Sequence, residues 1–382
     1  MKIAILGFGV VGSGALSVLR DNGYDVARVL DIKPHPELGD ILTSNYDDIL
    51  NDKEIGVVAE AIGGLEPAHT FVVKALKAGK HVVSSNKHLI CEYYEELHTL
   101  AKENGVTIRY TSAVGGGIPW LYNLKRSIRL DNIYKIMGIM NGTTNFILDA
   151  MISQGRDFDE VLKEAQALGY AEANPSADID GLDTGRKTAI SSSIAFNTII
   201  KEENVDIFTM RTIKKCDIDY ITGKLNKTVR YMGFGVKCEN GACAFVEPTI
   251  LSKDALESNV NKNNNMITLF GKSVGRLSFF GQGAGKYPTG NALAQDIIDI
   301  VNGARRVVYS PENVKIDNSL ASKRYYVRTS ASIPKELLID SKEEICGVKY
   351  IITKELSVSK MHSLAKEISM EDPASFYAGI EE

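Results

Sequence analysis

Residues 2–23 read KIAILGFGVVGSGALSVLRDNG, and their order decides the fold. KIAIL is a short apolar run of the kind that forms a buried parallel strand. It passes directly into Gly7-Phe8-Gly9-Val10-Val11-Gly12, and then into a helix-compatible stretch stopped at Gly23. That is GxGxxG with a strand before it and a helix after it, the context in which the spacing has meaning. Gly7 permits the tight turn, Gly9 lets backbone approach a pyrophosphate, and Gly12 lets helix and strand pack closely. The amides at Val10, Val11 and Gly12 open the helix, where unpaired N–H groups attract an anion.

A second strand, ARVLDI (27–32), carries Asp31 near its end, a little over twenty residues past the first glycine. A carboxylate there accepts hydrogen bonds from a ribose 2′-hydroxyl and repels a 2′-phosphate. The expected cofactor is NAD or NADP, with NAD preferred because of Asp31 and only weakly so because Lys33 stands two residues on; the alternative is that Asp31 merely starts the following loop. The alternation then continues. EIGVVAEAIG (54–63) and KHVVSS (80–85) read as strands, PAHTFVVKALKAG (67–79) and EYYEELHTLAKENG (92–105) as helices, and VTIRYTS (106–112) as a further strand. Strands and helices at this spacing predict an α/β fold, a Rossmann-type doubly wound parallel sheet. Ligands bind beyond the carboxyl ends of such strands, which places Gly63, Gly64 and the stretch Ser84 to Lys87, with Ser85 in it, at the functional edge. By default a lysine in such a loop is a solvated side chain.

The second half carries the chemistry. YKIMGIMNGTTNFILDAM (134–151) reads as a strand, a polar turn and a helix, and DFDEVLKEAQALGY (157–170) as another helix. The latter delivers GYAEANPSADIDGLDTGRK (169–187), a loop that becomes a helix from about Leu182. Asp183 and Lys187 then stand one turn apart on a single face. Such a pair either holds a small zwitterion and tunes proton transfer, or is a solvated salt bridge. The turn Val114-Gly115-Gly116-Gly117-Ile118-Pro119 is either a sharp bend or a set of carbonyls able to hold a monovalent cation. A second glycine-rich loop with Gly285 precedes PTGN (288–291) and the helix ALAQDIIDIV (292–301), and it either closes over a cofactor or is a plain connection.

Composition excludes several classes. At 382 residues the chain has room for two or three domains, and 44% hydrophobic with 24% charged residues is ordinary for a globular protein. A net charge of -4 without basic blocks argues against nucleic acid. No apolar run approaches the length of a membrane span. Five scattered cysteines (Cys91, Cys216, Cys238, Cys243, Cys346) show no metal-ligand spacing and suit a reducing cytoplasm. The chain opens with its first strand already under way, so no signal peptide is expected.

Several motifs together resemble the homoserine dehydrogenases: the glycine fingerprint, GKHVVSSNK (79–87), VGGGIP (114–119), NGTTNFIL (141–148), the segment 169–187 and GAGKYPTGNA (283–292). They stand in that family's order from residue 1 to about 310. The resemblance implies reversible hydride transfer between L-homoserine and L-aspartate 4-semialdehyde with NAD(P), in threonine, methionine and isoleucine biosynthesis. It implies Lys187 as proton donor, Lys87 facing the reacting centre and contacting cofactor, and Glu172, Asp178, Asp183 and Gly169 as substrate-binding. Cofactor contacts fall on Gly7, Gly9, Val10, Val11, Gly12, Asp31, Gly63, Ser85 and Gly285. A sodium ion on the carbonyls of Val114 and Gly116 is implied too, although Thr111 replaces the family's usual glutamate ahead of that turn.

The implied organisation is a dinucleotide-binding domain over 1–134, completed by about 290–320, and an α+β substrate and dimerisation domain over 135–290. A short ACT-like α+β tail over 323–382 follows, with KRYYVRTS, GVKYIITKE and ASFYAGIE as strands and SVSKMHSLAKEIS as a helix. A homodimer or higher homo-oligomer acting on a small amino acid is expected, without nucleic-acid or membrane partners. A non-catalytic NAD(P)-binding regulator of the same fold is the alternative. An aspartate-semialdehyde dehydrogenase needs a nucleophilic cysteine, and Cys91 has no evident histidine partner in the sequence.

Overall fold

The computed structural model describes residues 1–304 and 310–381. The chain divides into two compact units, residues 1–127 with 281–312, and residues 128–280 with 313–382. Relative to the sequence reading, the first boundary falls at 127 instead of 134, and the return at 281 instead of 290.

Unit 1 is built on six parallel strands: β1 (Lys2–Leu6), β2 (Val26–Leu30), β3 (Leu42–Thr43), β4 (Ile55–Glu60), β5 (His81–Ser84) and β6 (Ile108–Arg109). Their spatial order is β3-β2-β1-β4-β5-β6, so the winding reverses between β1 and β4. In register, Ile5 lies between Val29 of β2 and Ala59 of β4. A strand covered on both faces must be apolar throughout, and Ile3 to Leu6 and Val57 to Ala59 are all buried. β3 has only two residues, too few to leave a periodic signal. VTIRYTS is likewise a strand only at Ile108–Arg109, because Thr111–Ala113 tightens into a 3₁₀ turn.

The helix Lys286–Val301 belongs to this unit and starts earlier than the sequence reading placed it. Pro288 is tolerated because the first turn's amides have no intrahelical acceptor. The helix lies against Val10–Asp21 through glycines: a Cβ on Gly14 would stand 2.1 Å from Lys286 O, and one on Gly290 would stand 2.6 Å from Ala15 N. Side-chain-free contact brings the two backbones together over a core that includes Ile5, Leu16, Val57, Leu293 and Ile297.

Unit 2 holds an eleven-stranded mixed sheet. Its strands are β7 (Ile133–Ile139), β8 (Asp206–Ile207), β9 (Lys227–Cys238), β10 (Gly241–Ser252), β11 (Asn264–Gly271), β12 (Gly275–Gln282), β13 (Ser322–Thr329), β14 (Ile339–Ile345), β15 (Val348–Thr353), β16 (Leu356–Ser357) and β17 (Phe376–Ile380). The main path runs β12-β11-β7-β9-β10-β17-β13-β15-β14, with β8 on β10 and β16 on β13. Parallel pairing of β17 with β10 makes the tail an extension of this sheet, so residues 323–381 share one body with the substrate unit. The stretch SIPKELLIDSKEE (332–344) forms most of β14, where a βαββαβ module would place its first helix. The expected tail helix is present as Val358–Glu371, packing Met361, Leu364 and Ile368 on Tyr325, Ile351 and Tyr377.

Candidate active site

Each unit contributes a distinct set of functional groups. In unit 1 the glycine turn follows β1 with Gly7 at φ +91°, and Gly9 precedes the helix Val10–Asp21. Among the described residues, and apart from its chain neighbours, no atom lies within 4 Å of where a Gly9 side chain would begin, so ligand atoms have room there. The helix has no acidic residue in its first turn and no side chain capping it, leaving the amides of Val10, Val11 and Gly12 for an anion. A groove of about 640 Å³ opens beside this turn, lined by Gly9, Val10, Ser13, Arg20, His35 and Lys286 among others. Gly285 is the residue before helix Lys286–Val301, with φ +123°.

Asp31 stands immediately after β2. Its Oδ2 accepts from Phe8 N (2.7 Å) and its Oδ1 from Lys33 N (2.9 Å), while His35 Nε2 is 3.7 Å from Oδ2. Burial works to raise its carboxyl, but the Lys33 and Phe8 amides and the neighbouring imidazole outweigh that and leave it below the usual carboxylate range. The carboxylate therefore stays ionised at neutral pH and is locked to the glycine turn.

At the ends of β4 and β5, where the sequence reading placed Gly63, Gly64 and Ser84 to Lys87, the structure adds Glu60, which that reading missed. Glu60 is fully buried (0% exposed), and burial pushes its carboxyl up. Its Oε1 accepts from Ile62 N (2.8 Å) and Gly63 N (3.2 Å), and its Oε2 from Ser84 Oγ (2.5 Å). Asn86 N in turn donates to Ser84 Oγ (3.0 Å), and Asn86 Nδ2 donates to Gly64 O (2.6 Å). Asn86 Oδ1 caps the helix Lys87–Glu92, so Lys87 is the half-buried first residue of a helix instead of a loop tip. Ser85 is half-buried, with its amide on Glu60 O.

The VGGGIP turn is tied in by Asp296, whose buried carboxylate accepts from Thr111 N (2.7 Å) and Thr111 Oγ1 (2.8 Å). The hydroxyl that replaces the family's glutamate is thus committed to Asp296. Val114 and Gly116 are buried, and among the described residues neither carbonyl receives a hydrogen bond. Two buried acceptors left open in this way are uncommon and fit a small cation.

In unit 2 the helix Leu182–Ala195 lies on β9. A Cβ on Gly233 would stand 2.0 Å from Thr188 Oγ1, and one on Gly235 would stand 2.2 Å from Ser192 Oγ. These glycines let the helix sink onto the sheet, so Asp183 to Ala195 is buried apart from Arg186. Asp183 and Lys187 are 6% and 7% exposed, which excludes the solvated salt bridge as a reading of this pair. Lys187 Nζ donates to Asp183 Oδ2 (2.8 Å) and to Met140 O (2.6 Å).

Asn141, seen in the sequence only as part of a polar turn, is the connector. Its Nδ2 donates to Asp178 Oδ1 (2.6 Å) and Asp183 Oδ2 (2.8 Å). Its Oδ1 accepts from Thr144 N (2.8 Å) as the N-cap of the helix Gly142–Gln154, which fixes the orientation of the amide. An asparagine ahead of Gly-Thr-Thr and a helix was the available N-cap signal. The structure thus brings Asp178, Asp183 and Lys187 together. It does not join Glu172 or Gly169 to them: Glu172 is exposed, and Gly169 is an exposed left-handed turn after the helix Phe158–Ala167. Among the described residues no cluster of His, Cys, Asp or Glu fits a metal ion, and no helix is long and apolar enough to cross a membrane.

The strand order of unit 1, its glycine turn and the acid after β2 define a dinucleotide-binding scaffold. With a buried ammonium–carboxylate pair in the same chain, the class is a nicotinamide-dependent dehydrogenase. Residues 7–111 match the NAD-binding domain of homoserine dehydrogenase, and residues 119–298 match the homoserine dehydrogenase domain. The chain is 36% identical to the homoserine dehydrogenase of a Synechocystis strain over 86% of its length and 79% of that protein. The crystal structure of the Thiobacillus denitrificans homoserine dehydrogenase superposes with a TM-score of 0.90 at 30% identity, over 100% of this chain and 98% of that one. A hyperthermophilic archaeal homoserine dehydrogenase mutant in complex with NADPH gives 0.70 at 25% identity, over 80% and 99%. The chain belongs to the homoserine dehydrogenase family, and it is an NAD(P)-dependent oxidoreductase.

Proposed function

We propose that the residues divide the reaction between L-homoserine and L-aspartate 4-semialdehyde as follows. Lys187 supplies the proton to the aldehyde oxygen as hydride arrives, and takes it back in the reverse direction. The buried Asp183–Lys187 pair carries this reading, because an ammonium held at 2.8 Å by a sequestered carboxylate is placed to neutralise a developing alkoxide. Asp178 and Asp183, oriented by Asn141, receive the substrate's ammonium group, and Glu172 reaches the same group from its exposed segment. Lys87, just beyond the end of β5 in unit 1, is the second lysine with a catalytic role.

The cofactor groups belong to unit 1. The amides of Val10, Val11 and Gly12 would hold the pyrophosphate, Asp31 the ribose of NAD, and Gly63, Ser85, Lys87 and Gly285 the remaining contacts; the nicotinamide supplies or accepts the hydride. Asp31 supports a preference for NAD because its anion is fixed by two amides and repels a 2′-phosphate. The open carbonyls of Val114 and Gly116 support a sodium ion at the VGGGIP turn.

The test is the initial rate of L-homoserine oxidation with NAD and with NADP, followed by absorbance at alkaline pH. Turnover with the larger kcat/KM for NAD is expected. Turnover that favours NADP removes Asp31 from the ribose, and absence of turnover with either cofactor removes the proposed reaction.

A further inference from the structure

Glu60 has no place in the proton or hydride steps, yet the end of β4 spends a fully buried carboxylate on it. The groups that meet this carboxylate donate: the amides of Ile62 and Gly63 to Oε1, the Ser84 hydroxyl to Oε2, and the Asn86 side-chain amide as well. Ser84 can donate because its oxygen already accepts from Asn86 N. The chain of bonds closes when Asn86 Nδ2 reaches Gly64 O. One carboxylate therefore fastens the segment after β4 to the segment after β5, and the second segment ends in the capped helix that begins at Lys87. A main-chain bond from Ser85 N to Glu60 O (3.1 Å) reinforces the same junction.

We infer that Glu60 is a positioning residue, holding the segments Ala61–Gly64 and Ser84–Lys87 in the one arrangement that presents Gly63, Ser85 and Lys87 for catalysis. The inference rests on the dehydrogenase reading for what these segments present, but the junction itself is read from unit 1 alone. A fully buried carboxyl group that an apolar side chain could replace at lower cost is accounted for here by the geometry it fixes. Gln at position 60 preserves shape, but it brings a donor into a site where donors from Ile62, Gly63, Ser84 and Asn86 already converge.

The experiment uses the full chain with Glu60→Gln and, as a milder break, Ser84→Ala. Amide hydrogen exchange is read by mass spectrometry, together with cofactor-binding stoichiometry and homoserine kinetics. Glu60→Gln is expected to speed exchange in the 61–64 and 84–87 segments but not in β1 and β2. It should also lower kcat by about tenfold or more with one cofactor still bound per chain, the size of loss that small misplacement of reacting groups produces. Ser84→Ala should move both readouts the same way by less, and it carries the test if Glu60→Gln does not fold.

Unchanged exchange in those segments overturns the inference. So does faster exchange with kcat intact, and so does a fall in kcat that only tracks lost cofactor stoichiometry, which marks a structural role. If the unmodified chain fails to turn over homoserine, the proposed reaction falls, while the exchange result still decides whether Glu60 holds the two segments.

Discussion

The candidate groups of the two units are made of different material. In unit 1 the groups proposed to face a ligand are mostly backbone: the helix-opening amides after Gly9, the carbonyls of Val114 and Gly116, and segments pinned by Glu60 and Asp31. In unit 2 they are side chains, the buried Asp183, Lys187 and Asn141 and the half-buried Asp178, beside a helix that sits on glycines of β9. Backbone sites suit a cofactor whose phosphates and ribose are invariant. Side-chain sites suit a step in which a proton must be held and released. The difference also sets how each half fails: removing one side chain destroys the second, while the first loses function only in increments.

The largest expected effect is therefore in unit 2. Asp183→Ala leaves the Lys187 ammonium buried beside the Met140 carbonyl without its carboxylate, a loss of about 3 kcal/mol in stability for a broken buried pair. Turnover should fall about 1,000-fold, the scale of a lost proton-transfer arrangement. Urea unfolding and homoserine kinetics on the same variant check both, and a variant within tenfold of the parent would show that the pair is not the working unit. The smallest effect belongs to unit 1. Replacing sodium by choline at constant ionic strength removes whatever the Val114 and Gly116 carbonyls hold, and should lower the melting midpoint by about 2 °C. An unmoved midpoint takes the ion out of the account.

The same contrast explains what the sequence revealed. The strand–glycine–helix order of residues 2–23 and the placement of Asp31 depend on local rules, and both stand where they were expected. Asp183 and Lys187 were visible as a helical i, i+4 pair, but their burial was not, because it comes from Gly233 and Gly235 some fifty residues later in the chain. Asn141 and Glu60 were missed for a related reason. Each works by hydrogen bonds to segments distant in sequence, Asp178 and Asp183 for one and Ser84 for the other, and neither residue breaks a local pattern. The tail shows the limit from another side: its strands were legible one by one, but the pairing of β17 with β10 that merges them into the large sheet is a tertiary fact.

The most direct test of this division is Lys187→Ala, with cofactor affinity and homoserine turnover measured on one preparation. NAD affinity is expected within about twofold of the parent, because the proposed cofactor groups lie in unit 1, and turnover is expected to fall by about 1,000-fold or more. Turnover near the parental rate would contradict the central role given to the buried lysine, and loss of cofactor binding would contradict the separation of the two halves.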